Sequence, residues 1–169
     1  QHFSIMQVPG IEQNAIMIDS VSKRFSMCGA RIGWVVSKNK EVMKSILKFA
    51  QARLSPPTYS QIGAEKAFDV PESYFEEVLK EYTQRRNVLI DALQKVEGVR
   101  VSMPKGAFYC IAELPVENAE DFCIWLLDQF SVDNQTVMLA PAEGFYATPG
   151  LGRNQVRIAY VPCLLYTSD

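Results

Sequence analysis

Four side chains that could bind and react with a small anionic molecule lie close together near the start of the chain: Ser20, Ser22, Lys23 and Arg31. Serine hydroxyls and a guanidinium make charge-assisted hydrogen bonds to phosphate oxygens, and a lysine among other cations loses some affinity for its proton. A neutral lysine amine can form a Schiff base. The spacing fits a phosphate site beside a reactive amine, and it fits a solvated connection whose cations face water equally well.

A second candidate lies near the end of the chain, where Arg157 stands among apolar residues in the segment NQVRIAYV. An unpaired guanidinium is costly to bury, so this side chain needs an anionic partner. That partner is either a carboxylate of the protein, in a structural salt bridge, or a bound anion. Arg153 lies before the predicted strand, and we expect it to be solvated.

Two apolar runs, residues 15–18 and 32–36, flank Lys23, and the glycines Gly29 and Gly33 precede or begin the second run. This pattern predicts two buried strands with the lysine in the turn between them. Loops held at strand ends are common positions for catalytic and binding residues.

The rest of the chain alternates helical and extended patterns, which indicates an α/β protein. Asn39 and Asn118 are predicted N-caps of two helices. The predicted helices span residues 40–54, 59–68, 71–96 and 119–130, and the predicted strands span 14–18, 32–37, 99–103, 107–114, 137–140 and 156–161. The strands at 99–103 and 107–114 read as a hairpin around the turn at 104–106.

Composition excludes several classes of function. The 169 residues are 48% hydrophobic and carry a formal net charge of -2, with mixed signs and no basic stripe, so neither nucleic acid nor a membrane surface is an evident partner. The single histidine, His2, excludes a Ser-His-Asp or Cys-His mechanism and a multi-histidine metal site from these residues. We therefore expect no metal, a small-molecule ligand and a soluble cytoplasmic protein.

The four cysteines, Cys28, Cys110, Cys123 and Cys163, are widely spaced. They have neither the density of a disulfide scaffold nor the C-x-x-C spacing of a zinc site. Reduced thiols in the core are the prediction.

The motif Ser20-x-Ser22-Lys23, followed by Gly29-x-Arg31-x-Gly33, resembles the cofactor-lysine signature of class I aminotransferases, which are fold type I enzymes that use pyridoxal 5'-phosphate. The resemblance implies that Lys23 holds the cofactor covalently and acts as the catalytic base. It implies that Ser20 and Arg31 bind the cofactor phosphate, with Ser22 as a further cofactor-binding residue. It also implies that Arg157 binds the α-carboxylate of the substrate.

The segments PKGAFY, at 104–109, and APAEGFY, at 140–146, are similar to other parts of that family, so the resemblance covers residues 1 to about 162. It implies that residues 1–85 are the end of the cofactor-binding large domain and 86–162 a small C-terminal α/β domain, with a long helix crossing the boundary. The family's remaining cofactor-binding residues precede its lysine, so we expect the chain to be the C-terminal part of a longer enzyme that forms a homodimer.

The last residues, 163–169, are expected not to belong to the natural protein, because the resemblance stops at Val161 or Pro162. The tail is too short for a final helix and has no helical pattern. Its sequence, CLLYTSD, is also what one frame of a transposon-end adapter used in DNA library preparation would encode.

The function implied is transamination between an L-amino acid and a 2-oxo acid, and the pattern is most similar to bacterial aspartate aminotransferases. This makes an aspartate-like substrate the first choice. Two alternatives remain open. One is a carbon-sulfur lyase or decarboxylase on the same fold, and the other is the aminotransferase-like sensing domain of a transcription regulator.

Overall fold

The computed structural model of the protein describes residues 3–161, so the tail expected at 163–169 and the histidine His2 lie outside the described residues. The chain divides into two compact units, Gln1–Pro71 and Glu72–Asp169. The boundary expected near residue 85 falls inside a helix of the second unit and stays a prediction. No helix in the described range is long and apolar enough to cross a membrane.

The first unit consists of a two-stranded sheet and three helices. They are β1 (Met17–Ser20), α1 (Val21–Arg24), β2 (Gly33–Val36), α2 (Lys40–Arg53) and α3 (Thr58–Ala67). The strands are antiparallel, with Met17 opposite Val36 and Ser20 opposite Gly33. The lysine of the motif is therefore carried on a single turn of helix rather than on a loop.

The prediction that the two strands are buried is wrong. Neither strand contains a buried residue, and Ile18 is 77% exposed. The reason is that β1 and β2 pair only with each other among the described strands, so their outer edges and much of their faces stay open. The buried apolar side chains lie nearby instead, with Val21 fully buried at the start of α1 and Phe25 just after it.

The cap predicted for α2 is confirmed. The side-chain oxygen of Asn39 accepts hydrogen bonds from the backbone N–H groups of Glu41 and Val42, both at 3.1 Å. These bonds satisfy two of the donors that a helix N-terminus leaves without an intrahelical partner. The helix ends at Arg53, and the next residue, Leu54, has φ 72° and ψ 168°.

The second unit is an antiparallel sheet with two helices. Its elements are α4 (Glu72–Leu93), β3 (Arg100–Val101), β4 (Tyr109–Glu113), α5 (Ala119–Asp128), β5 (Ala140–Pro141) and β6 (Gln155–Ala159). The strand order is β3-β4-β6-β5. The predicted hairpin is confirmed, because Arg100 pairs with Glu113 and Val101 with Ala112.

Alternation along β4 and β6 gives this sheet two different faces. Ala112 and Val156 are fully buried, and they form a core cluster with Cys123 and Ala119 of α5. Asn118 caps α5, as predicted, by accepting a hydrogen bond from the backbone of Glu120 at 2.9 Å. The opposite face carries the residues that alternate with the core positions, and Arg157 belongs to it.

Candidate functional site

Ser20 ends β1 and begins the turn that carries Lys23. Its hydroxyl oxygen accepts a hydrogen bond from the backbone N–H of Ser22 at 3.3 Å, which caps α1. A hydroxyl that accepts a bond in this way still has an O–H group to donate. Ser20 thus both starts the helical turn and can offer a donor to an anion.

The close approach of β2 to this turn requires a glycine. A Cβ atom at Gly33 would lie 2.9 Å from the backbone oxygen of Asp19, closer than real side chains come. The backbone N–H of Val21 donates to the carbonyl of Ile32 at 3.2 Å, which continues the pairing of Ser20 with Gly33. This pairing brings the residues around Arg31 alongside the start of α1.

Arg31 has a left-handed backbone conformation, with φ 55° and ψ 37°. That conformation is uncommon for residues other than glycine, and its occurrence at a non-glycine position is a reason to look for a function. The guanidinium Nη1 donates to the carbonyl oxygen of Cys28 at 2.8 Å, and the side chain is exposed. A bound anion can therefore reach it.

Lys23 is exposed, and its Nζ lies 3.8 Å from the Sγ atom of Cys28. The same thiol donates to the backbone oxygen of Ser22 at 3.1 Å. Cys28 therefore contacts the lysine through its thiol and Arg31 through its carbonyl. The side chain of Ser22 makes no hydrogen bond within residues 3–161, and its role as a cofactor-binding residue stays a prediction.

The prediction of core thiols is wrong for Cys28, which is exposed, because it follows α1 in the connection to β2 rather than lying on a core-facing position. The prediction is confirmed for Cys110 and Cys123, which are buried and not in disulfides. Burial raises the pKa of the Cys110 thiol, and burial together with the nearby carboxylate of Glu120 raises the pKa of the Cys123 thiol. Cys163 lies outside the described residues.

The carboxylate of Asp19, which the sequence analysis did not single out, stabilises the turn that carries Lys23. Asp19 accepts a hydrogen bond from the backbone N–H of Ser20 at 2.7 Å through Oδ1, and it pairs with the guanidinium of Arg24 at 2.5 Å through Oδ2. Asp19 and Arg24 therefore join the two ends of the segment that contains Lys23. The sequence does contain a signal for this ion pair, because the acidic Asp19 directly precedes the Ser20–Lys23 motif and the basic Arg24 directly follows it.

The donors of this turn fit pyridoxal 5'-phosphate. Ser20 and Arg31 supply a hydroxyl and a guanidinium for phosphate oxygens, and Lys23 supplies an amine within the same short segment. All three lie in the first unit, and each is at least partly exposed. Cations and a hydroxyl that are open to solvent are the groups that a phosphate monoester with an aldehyde group requires.

Arg157, in the second unit, is held by two aromatic rings. Its Cζ atom lies 4.7 Å from the centre of the Tyr109 ring and 4.6 Å from the centre of the Phe145 ring. No salt bridge of Arg157 to an aspartate or glutamate occurs within residues 3–161. The sequence left two partners open for Arg157, a carboxylate of the protein or a bound anion, and the described residues provide no such carboxylate. Arg153 is exposed, as expected.

Comparison with known proteins agrees with these features. The model of the aminotransferase class I and II family matches residues 5–162. The chain is 31% identical over 152 residues to the aspartate aminotransferase of Pyrococcus horikoshii, covering 88% of this chain and 37% of that protein. It is 34% identical over 150 residues to the (5-formylfuran-3-yl)methyl phosphate transaminase of Methanocaldococcus jannaschii, covering 88% of this chain and 38% of that protein.

A solved structure of an aspartate aminotransferase from Thermotoga maritima superimposes with a TM-score of 0.78 at 26% identity, covering 98% of this chain and 40% of that one. The chain thus spans well under half the length of the proteins it matches. The family match extends over nearly all of the described residues and includes both the lysine turn and the strand of Arg157. On these grounds the chain belongs to the class I and II aminotransferase family.

Proposed function

We propose that the protein carrying this chain transfers an amino group between an L-amino acid and a 2-oxo acid, with pyridoxal 5'-phosphate as cofactor and an aspartate-like amino acid as substrate. Class I aminotransferases use this cofactor. The observation that carries the proposal is the pairing of Ser20 with Gly33, which brings the connection that carries Arg31 alongside the turn that carries Lys23. The names of several relatives support the aspartate-like substrate, although another relative is named for a different amino-group acceptor.

In this proposal Ser20 and Arg31 bind the phosphate, with Ser22 assisting, and Lys23 holds the aldehyde carbon through Nζ. When bound, the cofactor supplies an electron sink for the negative charge that develops at the substrate α-carbon. The Lys23 amine, once displaced by the substrate amine, takes the proton from the α-carbon and later returns a proton. Arg157 binds the α-carboxylate through paired N–H donors and so orients the substrate.

The same proposal assigns residues 1–85 to the end of a fold type I large domain and residues 86–162 to a small C-terminal domain. The boundary proposed from the resemblance is near residue 85. A homodimer is the proposed assembly of the complete enzyme, and sedimentation of the complete enzyme tests it.

Trapping of the cofactor on the lysine tests the proposal directly. The protein is mixed with pyridoxal 5'-phosphate and reduced with borohydride, which makes the bond between lysine and cofactor permanent, and its peptides are mapped by mass spectrometry. We expect the pyridoxyl group on Lys23, and we expect Lys38→Ala to keep the label and Lys23→Ala to lose it. A label on Lys38 or Lys105 in the unaltered protein contradicts the assignment.

Transfer of nitrogen distinguishes transamination from other reactions on this fold. With ¹⁵N-labelled aspartate and 2-oxoglutarate, we expect ¹⁵N-labelled glutamate. Release of carbon dioxide or sulfide from a suitable amino acid, with no transferred nitrogen, would instead support a decarboxylase or a carbon-sulfur lyase. Binding of an amino acid with no turnover would support a sensing domain.

A further inference from the structure

Two aromatic rings contact the guanidinium of Arg157, one from β4 and one from the segment that follows β5. Arg157 pairs with Ile111 on β4 and with Ala140 on β5. Tyr109 is two residues from Ile111 on β4 and so shares its face of the sheet, while Phe145 follows β5. Both ring centres lie within 5 Å of the Arg157 Cζ atom, at 4.7 and 4.6 Å.

These contacts hold the cation without neutralising it. A guanidinium within about 6 Å of an aromatic ring centre is attracted by the ring's electrons. A carboxylate would hold Arg157 too, but it would also occupy the N–H donors that a ligand needs. Within residues 3–161 no Asp or Glu forms such a pair with Arg157, and the two rings are in a position to restrain the orientation of its guanidinium.

The exposure of Phe145 indicates that this ring is not simply part of the core. Its side chain is 55% exposed, in a segment after β5. The core of the second unit is built on the other face of the sheet, from residues such as Ala112 and Val156. An aromatic ring left half in solvent beside a guanidinium contributes little core packing, and its contact with Arg157 is the feature that remains to be explained.

We propose that Tyr109 and Phe145 are positioning residues, which hold the Arg157 guanidinium by its flat faces so that its N–H edge can donate hydrogen bonds to a substrate carboxylate. The planar fork of a guanidinium matches the two oxygens of a carboxylate when approached along that edge. This inference rests on the proposed function and deepens it. Because amino acid and 2-oxo acid both carry the carboxylate, the two rings serve both halves of the reaction.

Steady-state kinetics of the complete, cofactor-loaded enzyme that carries this chain test the roles of both rings. Tyr109→Leu and Phe145→Leu should each raise KM for the amino acid and for the 2-oxo acid by roughly three- to thirtyfold, with kcat and the cofactor absorbance unchanged. Tyr109→Phe and Phe145→Tyr keep an aromatic ring and should restore KM. A fall in melting temperature with unchanged KM would show a purely structural role and overturn the proposal.

Tyr82 offers a matched control within the same unit. Its ring lies 5.2 Å from the Cζ atom of Arg85, but Arg85 is already paired with Glu81 at 2.8 Å. Tyr82→Leu therefore removes an aromatic contact of an arginine that has its own carboxylate. We expect a lower melting temperature and an unchanged KM. An equal rise in KM in this control would overturn the assignment to Tyr109 and Phe145.

Calorimetric binding of succinate separates this inference from the proposed function, because succinate has carboxylates but no amine to transfer. We expect the unaltered protein to bind it and the two leucine variants to bind it roughly three- to thirtyfold more weakly. That result supports the positioning role even if no nitrogen transfer is found. Equal binding by the variants, or no binding by the unaltered protein, overturns it.

Discussion

Arg31 combines an unfavourable backbone conformation with an exposed cation in the candidate phosphate site. Its φ of 55° costs a non-glycine residue on the order of 1 kcal/mol or more. The residue keeps this conformation although a glycine would adopt it with less strain. The guanidinium, rather than the backbone, is therefore what this position requires.

Arg31→Gly should move stability and cofactor affinity in opposite directions. The free energy of unfolding should stay equal or rise, because the left-handed strain is relieved. The affinity for pyridoxal 5'-phosphate should fall by about tenfold or more, because charge-assisted hydrogen bonds are lost. Urea denaturation and a fluorescence titration with the cofactor measure the two quantities.

Ser26 provides the control for this change, since it has a similar φ of 54° in the same connection. Ser26→Gly relieves backbone strain and removes no cation. Its stability should rise while its cofactor affinity stays at the level of the unaltered protein. If Arg31→Gly also left the affinity unchanged, Arg31 would not be a phosphate ligand.

Among the elements of the first unit, α2 is followed by a residue in a strained backbone conformation. Leu54 has φ 72° and ψ 168°, a region occupied almost only by glycine. Its side chain is 77% exposed and adds little to the core. The backbone conformation of Leu54 ends α2 and begins the connection to α3.

Leu54→Gly should raise the free energy of unfolding by about 1 kcal/mol. This is the net of two effects: glycine relieves the backbone strain of the folded protein, but it also gives the unfolded chain more conformational freedom. Chemical denaturation monitored by circular dichroism measures this change. Leu54→Ala shortens the same exposed side chain but keeps the strain, so we expect it to change stability little. A loss of stability in the glycine variant would contradict the prediction.

The elements that sequence analysis predicted best are those with local signals. Asn39 and Asn118 mark the starts of α2 and α5 because a side-chain amide oxygen satisfies nearby backbone donors. The exposure of β1 and β2 was missed, since an apolar run cannot reveal whether a neighbouring strand covers it. Periodicity also could not reveal the left-handed residue of the connection between β3 and β4, which is Ala107 rather than Gly106.

In the candidate site, too, local features could be predicted from the sequence and features that depend on distant strands could not. The spacing of Ser20, Lys23 and Arg31 could be read directly, because these residues lie within one short segment. The aromatic contacts of Arg157 could not be foreseen, because they depend on the pairing of strands that are far apart in sequence. Motif reasoning likewise gave no role to Cys28, whose contacts depend on how the connection after α1 folds back.

At the scale of the whole molecule, the first unit leaves large apolar side chains open to solvent. Phe49 of α2 is 76% exposed, Tyr59 of α3 is 90% exposed, and α2 has no buried residue. Such surfaces favour association when they are extensive. The 169-residue chain by itself is therefore expected to self-associate and not to be a competent transaminase.

Phe49→Lys should reduce this association, since it replaces an exposed ring with a cation near the C-terminal end of α2, where positive charge is favourable. Sedimentation velocity over a range of concentrations measures the change. Ser45→Lys adds the same charge to the same helix without removing an apolar group, and it should have a smaller effect. A soluble monomer that binds the cofactor tightly would contradict the expectation for the unaltered chain.

The pairing of Ile111 with Arg157 closes a much longer stretch of chain than the pairing of Ser20 with Gly33. The entropy lost when folding closes a loop grows only with the logarithm of the loop's length. Closing the longer loop therefore costs roughly 1 kcal/mol more in folding free energy than closing the shorter one, and doubling the length of the longer loop would add about 0.6 kcal/mol. The exposed connection between α5 and β5, residues 129–139, can therefore lengthen by insertion while Arg157 keeps its place between β4 and β5.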